Sequence, residues 1–143
     1  MEEYEEAKTW VESSFRLDID RDVNLFETTI RVLGGLLSIY HLAGDEVYLA
    51  KAVELGNRLM PCFESPSSIP YSDVNLINMK AHAPKWSPDS STSEVTTIQL
   101  EFRDLSRSCN DPTYELAAAK VSEKVHELPK TDGLVPIFIN GEI

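Results

Sequence analysis

The same order of residues occurs twice in this chain. Each copy contains Thr-Thr-Ile, a Leu-Ser pair, a polar turn, and a tyrosine three residues after the aspartate of that turn. The positions are 28–30, 37–38, 44–45 and 48 in the first copy and 96–98, 105–106, 110–111 and 114 in the second, an offset of 66 to 68. Units of an inner helix, a short turn, an outer helix and a long return loop predict an α/α solenoid or a closed α/α barrel. Two such units and a spare helix would form only part of either fold.

Apolar periodicity predicts five helices, at residues 2–14, 25–42, 46–59, 93–108 and 112–127. The second is apolar on nearly every face and is expected to be a buried inner helix. Gly34 and Gly35 in its middle suggest that a neighbour approaches its backbone, because a glycine there otherwise costs about 1 kcal/mol. Gly44 suits the end of this helix, and Asp45 suits the N-cap of the next. The tail, residues 132–143, is predicted to turn at its first two residues and then to extend.

Residues 61–92 show no sustained periodicity and are predicted to form a long loop. Loops of this length inside a compact domain are often functional. Asp73 and Asn75 are typical turn formers. Tyr71 and Trp86 either stack on a sugar ring or close a small satellite core, and the second role is the more common for loop aromatics.

Composition excludes several classes of partner. The chain has 143 residues, one ordinary domain, and a formal net charge of −11, which argues against nucleic acid and against an anionic membrane surface. The start lacks the basic and apolar regions of a signal peptide, and no apolar run reaches membrane-spanning length. Cys62 and Cys109 favour two free thiols, although one bridge between them stays open. The spacing of His41, His82 and His126 does not suit a metal site.

Two readings are open for the charged residues at the starts of the inner helices. Glu27 follows Asn24 by three positions and Glu94 follows Ser91 by three, the spacing of a capping box. Glu27 and Arg31 are also i, i+4 partners. In the first reading these residues cap two helices and form one ion pair. In the second they face a ligand, because Arg31 within an apolar helix would be desolvated unless it faces a polar cavity, and helix N-termini stabilise carboxylates.

Several stretches together resemble a known enzyme family. FETTIRVLGGLLSIYHLAGD, IPYSDVNL, EVTTIQLEFRDLSR and DGLVPIFIN are similar to the class I α-1,2-mannosidases, glycoside hydrolase family 47, and above all to its endoplasmic-reticulum members. The resemblance covers nearly the whole chain. It implies an all-α fold, a partial (α/α)7 barrel of inner and outer helix pairs. It also implies calcium-dependent, inverting removal of α-1,2-linked mannose from mannose-rich N-glycans.

The resemblance assigns roles to three residues. It implies that Glu27 is the general acid, and that Arg31 and Glu94 bind substrate in the same cleft. Inverting hydrolysis needs a second carboxyl group roughly 6.5–9.5 Å from the first. The remaining carboxylates, the paired cysteines and the calcium-binding threonine belong to later parts of the family domain, so no metal ligand is expected here. A DALDT-type motif, carried by an earlier helix of the family, is absent.

Three hypotheses follow for residues 1–143. The first is a single partial catalytic domain of a mannosidase, incomplete at both ends relative to the family and expected to be inactive alone. The second is a non-catalytic glycan-binding quality-control protein of the same fold. The third is an inactive truncated product. The family implies the endoplasmic reticulum or the Golgi, with a membrane anchor in many members but none in this sequence.

Overall fold

The structure of the protein, a computed structural model, describes residues 2–84, 87 and 89–140, so Trp86 lies outside the described residues. Seven α-helical segments follow one another within these ranges: α1 (Glu2–Ser13), α2 (Leu25–Thr28), α3 (Gly34–Ala43), α4 (Glu46–Leu59), α5 (Thr92–Thr97), α6 (Gln99–Cys109) and α7 (Thr113–Glu127). A π-helical turn, Thr29–Leu33, joins α2 to α3, and a 3₁₀ turn, Met60–Phe63, follows α4. The five predicted helices are therefore present, two of them with internal irregularities.

The helices form two inner and outer pairs. The first inner helix consists of α2, the π turn and α3, and its outer partner is α4. The second inner helix consists of α5 and α6, and its outer partner is α7. Helix α4 also contacts α6, so it bridges the two inner helices, while α1 packs on α4. This arrangement confirms the predicted all-α architecture of inner and outer helix pairs.

The outer helix α4 joins the two units through a very close contact. Gly56 is buried, and a Cβ built on it would lie 2.5 Å from Leu105 Cδ2 and 3.2 Å from Tyr114 Cε1. Leu105 and Tyr114 belong to the second helix pair, and both are buried in the core. The absence of a side chain at Gly56 therefore allows the second unit to approach the first.

The first inner helix is buried along one side only. Leu25, Thr29, Leu33, Leu36 and Leu37 form the buried side. The expectation of a buried inner helix therefore holds for this side only in the described part of the chain, because the residues on the other side are exposed there. Two apolar side chains on the helix are 37% and 83% exposed, those of Ile30 and Leu42.

Both inner helices depart from α geometry at the repeated Thr-Thr-Ile. In the first copy the π turn begins at Thr29. In the second the helix breaks at Ile98, whose ψ is −2°. Thr96 and Thr97 donate their hydroxyls to the carbonyls of Thr92 and Ser93, at 2.8 and 2.7 Å. Such bonds compete with the helical ladder and bend helices, which is why the predicted single helix 93–108 is divided.

The glycine pair in the first inner helix behaves unequally. The side chain of Glu101 comes within 3.5 Å of the Cβ position of Gly34, which is ordinary van der Waals contact. Nothing lies within 4 Å of the Cβ position of Gly35. The expectation that a neighbour approaches this backbone closely is therefore wrong at both glycines.

The predicted long loop contains three short strands. These are β2 (Asp73–Asn75), β3 (Ala81–His82) and β4 (Asp89–Ser91), and the others described are β1 (Asp22–Asn24) and β5 (Phe138–Asn140). The order β1-β2-β3 forms one antiparallel sheet, and β4 pairs antiparallel with β5 in the other. In the described part of the tail, a turn in which Asp132 and Gly133 have φ of 53° and 80° precedes the extended residues Phe138–Asn140, as predicted.

The turn between α3 and α4 binds helix α1 through two side-chain contacts. Gly44 ends α3 with φ of 73°, as predicted. Asp45 lies at the N-cap of α4 but makes no side-chain cap bond, which corrects its predicted role. Its carboxylate instead accepts a hydrogen bond from the Tyr4 hydroxyl and lies 3.0 Å from Lys8 Nζ. These two partners on α1 lower the pKa of Asp45.

The two cysteines are free thiols, as expected. Cys62 is fully buried, and burial raises the pKa of its thiol. Cys109 is half-buried in the last turn of α6. Among residues 2–84, 87 and 89–140, no helix is both long enough and apolar enough to cross a membrane.

Gly56→Ala is predicted to destabilise the protein by about 1–3 kcal/mol, the range of an overpacked core. The added methyl group would collide with Leu105. Gly35→Ala is the matched control in another helix with open space around it, and we expect it to stabilise by about 0.4–1 kcal/mol. Urea unfolding of both variants measures the difference, and equal effects would refute the close contact.

Asp45 is predicted to make stability fall in acid. Its pKa is lower in the folded state than in the unfolded chain, so its contribution is present above the unfolded value of about 3.9 and disappears as the pH falls through the folded value. Asp45→Asn should therefore destabilise the protein at pH 7 and flatten the acid limb of a plot of melting temperature against pH. An unchanged acid limb would contradict this role.

Candidate functional site

The start of the first inner helix carries Glu27 and Arg31. Asn24 is the extended N-cap of α2, and its Oδ1 accepts a hydrogen bond from the Glu27 backbone N–H at 2.9 Å. This confirms half of the predicted capping box. The Glu27 carboxylate itself is ion-paired with Arg31 Nε, one helical turn further on.

The ion pair is open to solvent. The Arg31 side chain is 71% exposed and that of Glu27 is 50% exposed. The expectation that Arg31 is desolvated is therefore wrong in this structure, because the pair lies on the side of the helix that faces away from the core. Because both side chains are exposed, Glu27 and Arg31 are accessible to a ligand. The hypothesis that they bind one therefore does not need them to be buried.

The helix changes its hydrogen-bonding pattern directly after Glu27. The π turn Thr29–Leu33 contains Arg31, so the ion pair spans the change from α to π geometry. Thr29 is fully buried, and its Oγ1 has no hydrogen-bond partner among the described residues. Single π turns within α-helices occur frequently at functional sites.

Glu94 lies in the first turn of α5, at the start of the second inner helix. The predicted capping box is wrong here, because the Ser91 side chain makes no cap bond and its Oγ lies 3.0 Å from Ser93 Oγ. The tail fixes this helix start instead. Thr92 donates its backbone N–H to the Ile137 carbonyl at 2.9 Å and its hydroxyl to that of Pro136 at 2.5 Å.

The two helix starts lie side by side. Leu25 N–H donates to the Ser72 carbonyl at 2.7 Å, and Ser72 Oγ is 3.4 Å from Ser90 Oγ, just before α5. A cavity of about 10 Å³, room for one water at most, lies between the starts. Its walls are formed by Leu25, Phe26, Tyr71, Ser72, Glu94 and Val95. Glu94 therefore shares a cavity with the two residues that directly precede Glu27, and Tyr71 lies between the helices.

A second, larger concavity lies between α3 and α6. This groove of about 610 Å³ is lined by residues that include Gly34, His41 and Glu101. His41 Nε2 is 2.9 Å from both carboxylate oxygens of Asp104, and Glu101 Oε2 is buried with no partner among the described residues. Sequence reasoning did not find this groove. The sequence carries no clear signal for it, because Glu101 stands among other polar residues, Gln99, Arg103 and Asp104.

No metal-binding cluster is present among residues 2–84, 87 and 89–140, where no three His, Cys, Asp or Glu side chains could hold an ion. The histidines lie apart. His41 pairs with Asp104 and His82 Nε2 lies 3.5 Å from Asp22, while the His126 carbonyl accepts a bond from Lys130.

Sequence comparison identifies the family. The chain matches the model of glycosyl hydrolase family 47 over residues 1–142. It belongs to that family. The human endoplasmic reticulum mannosyl-oligosaccharide 1,2-alpha-mannosidase is 57% identical over 139 residues, which cover 96% of this chain and 20% of the human protein. The mannosyl-oligosaccharide 1,2-alpha-mannosidase of Candida albicans is 44% identical over 144 residues, 99% of this chain and 25% of that protein.

A solved structure places the helix pairs of this family 47 chain in a larger fold. The structure of the alpha-1,2-mannosidase from Trichoderma reesei superposes with a TM-score of 0.80 at 25% identity, over 94% of this chain and 32% of that one. The chain therefore has the fold of part of an (α/α)7 barrel. It spans about a fifth of the length of the first curated relatives it matches.

Within this family 47 segment, all three predicted site residues lie at the same end of two neighbouring inner helices. Glu27 and Arg31 contact each other directly. Glu94 is brought to the adjacent helix start, on the wall of the small cavity.

Asn24→Ala is predicted to destabilise the protein by about 1 kcal/mol, the usual cost of a lost N-cap. The backbone N–H of Glu27 would lose its acceptor. Ser91→Ala is the matched control at the other helix start, with an expected change within about 0.5 kcal/mol, because Ser91 makes no cap bond. Urea unfolding of both variants tests the asymmetry, and an equal loss would show that both serve as caps.

Proposed function

We propose that the protein to which this chain belongs is an α-1,2-mannosidase that removes α-1,2-linked mannose from mannose-rich N-glycans in the endoplasmic reticulum. The observation that carries the proposal is the solvent-open Glu27–Arg31 pair on a capped inner helix of a family 47 fold. The substrate and the compartment are supported by the similarity to endoplasmic reticulum mannosyl-oligosaccharide 1,2-alpha-mannosidases. A carboxyl group on a capped helix is held in place by the backbone while its oxygens stay accessible.

In this proposal Glu27 is the general acid. It would donate a proton to the glycosidic oxygen as the bond to the departing mannose breaks. Donation requires a protonated carboxyl group, so the Arg31 guanidinium must turn from Glu27 to an oxygen of the bound sugar. Arg31 carries five N–H donors in a fixed fork and suits such a contact. Substrate binding and acid activation are then coupled through one ion pair.

Glu94 is proposed to bind the glycan. Its position on the neighbouring helix start puts it at the same end of the barrel as Glu27. An inverting reaction also needs a carboxylate that activates water on the opposite face of the sugar, roughly 6.5–9.5 Å from the acid. We assign that base to a part of the catalytic domain outside residues 1–143. These residues are accordingly proposed to be one segment of that domain, incomplete at both ends and inactive alone.

Calcium dependence is part of the same proposal and rests on the family resemblance. The described residues do not fit a calcium site, because they contain no cluster of three ligating side chains. We therefore assign the ligands to other parts of the domain, and no step above passes through the ion.

Glu27→Gln in the full-length protein is predicted to lower mannose release from an α-1,2-linked mannose oligosaccharide on the order of 10²–10⁴-fold, the contribution of a general acid. The glutamine keeps the shape and the exposed position, so folding should be unchanged. Glu46→Gln is the matched control, an exposed glutamate in the first turn of the outer helix α4.

Two outcomes would contradict the assignment. Equal turnover of the Glu27→Gln variant and the native protein would remove Glu27 from the mechanism. Glycan binding with no mannose release by the native protein, with or without added calcium, would refute the enzymatic function and support a glycan-binding protein of the same fold.

A further inference from the structure

Two identical tripeptides pair with each other beside the candidate site. Both β1 and β2 have the sequence Asp-Val-Asn, and they run antiparallel about the pair Val23 and Val74. Each aspartate therefore lies opposite an asparagine, Asp22 opposite Asn75 and Asp73 opposite Asn24. The valines face the core, where Val74 is fully buried, so the polar pairs share the other face of the sheet.

The backbone hydrogen bonds show that both Asp–Asn pairs lie at the non-hydrogen-bonded positions of the ladder, where opposite residues are closest. Leu25 N–H donates to the Ser72 carbonyl and Leu76 N–H to the Arg21 carbonyl, one on each side of the polar pairs. Hydrogen-bonded and non-hydrogen-bonded pairs alternate in an antiparallel ladder, so the two Asp–Asn pairs are non-hydrogen-bonded pairs. Side chains in such pairs approach most closely, with Cα atoms about 4.5 Å apart.

The pair at Asn75 shows how the arrangement works. Asn75 Nδ2 donates to Asp22 Oδ1 at 3.1 Å and to Asp20 Oδ1 at 2.9 Å. Its Oδ1 then faces the chain and accepts bonds from the N–H groups of Ile77 and Asn78 at 3.1 and 3.2 Å. The carboxylates of Asp20 and Asp22 thus orient the Asn75 amide so that its Oδ1 faces the backbone N–H groups that follow it.

The pair at Asn24 repeats this arrangement at the helix start. The Asn24 side chain lies opposite the Asp73 carboxyl group, whose pKa is raised by burial and lowered in part by the neighbouring His82 and by the Asn24 amide. Its Oδ1 accepts from the Glu27 N–H at 2.9 Å. A carboxylate cannot donate, so it selects the Nδ2 end of the amide and leaves Oδ1 for the helix. A reversed amide would present two donors to the Glu27 N–H and would lose the cap.

We infer that Asp73 is a positioning residue for Glu27: its carboxylate fixes the orientation of the Asn24 amide, which in turn holds the first turn of the helix that carries Glu27. This inference deepens the proposed function and rests on it. Asp73 acts through Asn24 and does not touch the substrate. Ser72, the residue just before β2, also holds the helix start, because its carbonyl accepts the Leu25 N–H. Two adjacent residues, Ser72 and Asp73, therefore act on this turn.

The test compares Asp73→Ala with Asp22→Ala in the full-length protein, assayed for mannose release from an α-1,2-linked mannose oligosaccharide. Each variant removes a carboxylate from an Asp–Asn pair of the same sheet, but only Asp73 lies opposite the cap of the Glu27 helix. We expect kcat to fall roughly tenfold to a hundredfold in Asp73→Ala, the effect of a misplaced catalytic group, with KM within about twofold. Asp22→Ala should keep the native kcat.

Rescue variants distinguish a positioning role of Asp73 from a simple loss of protein stability. Asp73→Asn retains an oxygen acceptor for Asn24 Nδ2 and should recover most of kcat. Asn24→Asp keeps a helix cap but places two carboxylates opposite each other, so kcat should fall. The double variant Asn24→Asp, Asp73→Asn restores a carboxylate–amide pair and should recover activity. The last two variants also keep the test decisive if Asp73→Ala does not fold.

The outcomes distinguish this inference from the proposed function. A native kcat in Asp73→Ala, equal losses in Asp73→Ala and Asp22→Ala, or no recovery in the double variant would each overturn the positioning role. If the native protein releases no mannose, or if Glu27→Gln is fully active, the proposed function fails and the inference fails with it. Loss in Glu27→Gln together with native turnover in every Asp73 variant removes the inference alone.

Discussion

The two helix pairs depend on one close contact, in which the second pair packs against the backbone of Gly56 on α4. Leu105 and Tyr114 occupy the space that a side chain at this position would fill. Because α4 also packs against α3, this contact holds the second pair against the first, and the inner helices contact each other directly through α3 with α6 and α2 with α5. The two helix starts lie beside the shared cavity that Glu94 lines.

The candidate site is fixed from outside the helices. The start of the first inner helix is held by Ser72, directly before β2, and the start of the second is held by the tail through the carbonyls of Pro136 and Ile137. Neither helix start relies on burial of its own charged residues. The long loop and the tail therefore stabilise the two inner helices, because they supply hydrogen-bond acceptors to N–H groups in the first turns that have no partner within the helix.

Sequence patterns predicted those features that depend on local chemistry. Helix α4 begins and ends where its periodicity does, and Gly44 adopts the left-handed conformation of a helix end. Asn24 caps its helix, whereas Ser91 has the same spacing and does not, because the tail satisfies that helix start instead. The burial expected of Arg31 was wrong for a related reason: an apolar sequence does not show which side of a helix has a neighbour.

Features that depend on distant contacts were not predictable. Gly56 is an ordinary position in a helical pattern until Leu105 is placed beside it. The strand pairing of residues 22–24 with 73–75 joins segments about fifty residues apart, and three residues are too few for a strand pattern to stand out. The family resemblance predicted Glu27, Arg31 and Glu94 as site residues, and only the structure showed what holds their helix starts.

The geometry of Glu27 reconciles the two readings of its sequence position. A residue that only capped a helix would direct its carboxylate toward the backbone, and one that only bound a ligand would need support from buried neighbours. Here the backbone N–H of Glu27 is bound by Asn24, and the carboxylate is left to Arg31 and to solvent. The capping contact thus involves the main chain of Glu27, and the side chain is left for the role proposed above. Separation of the two roles within one residue lets a rigid helix start carry an accessible acid.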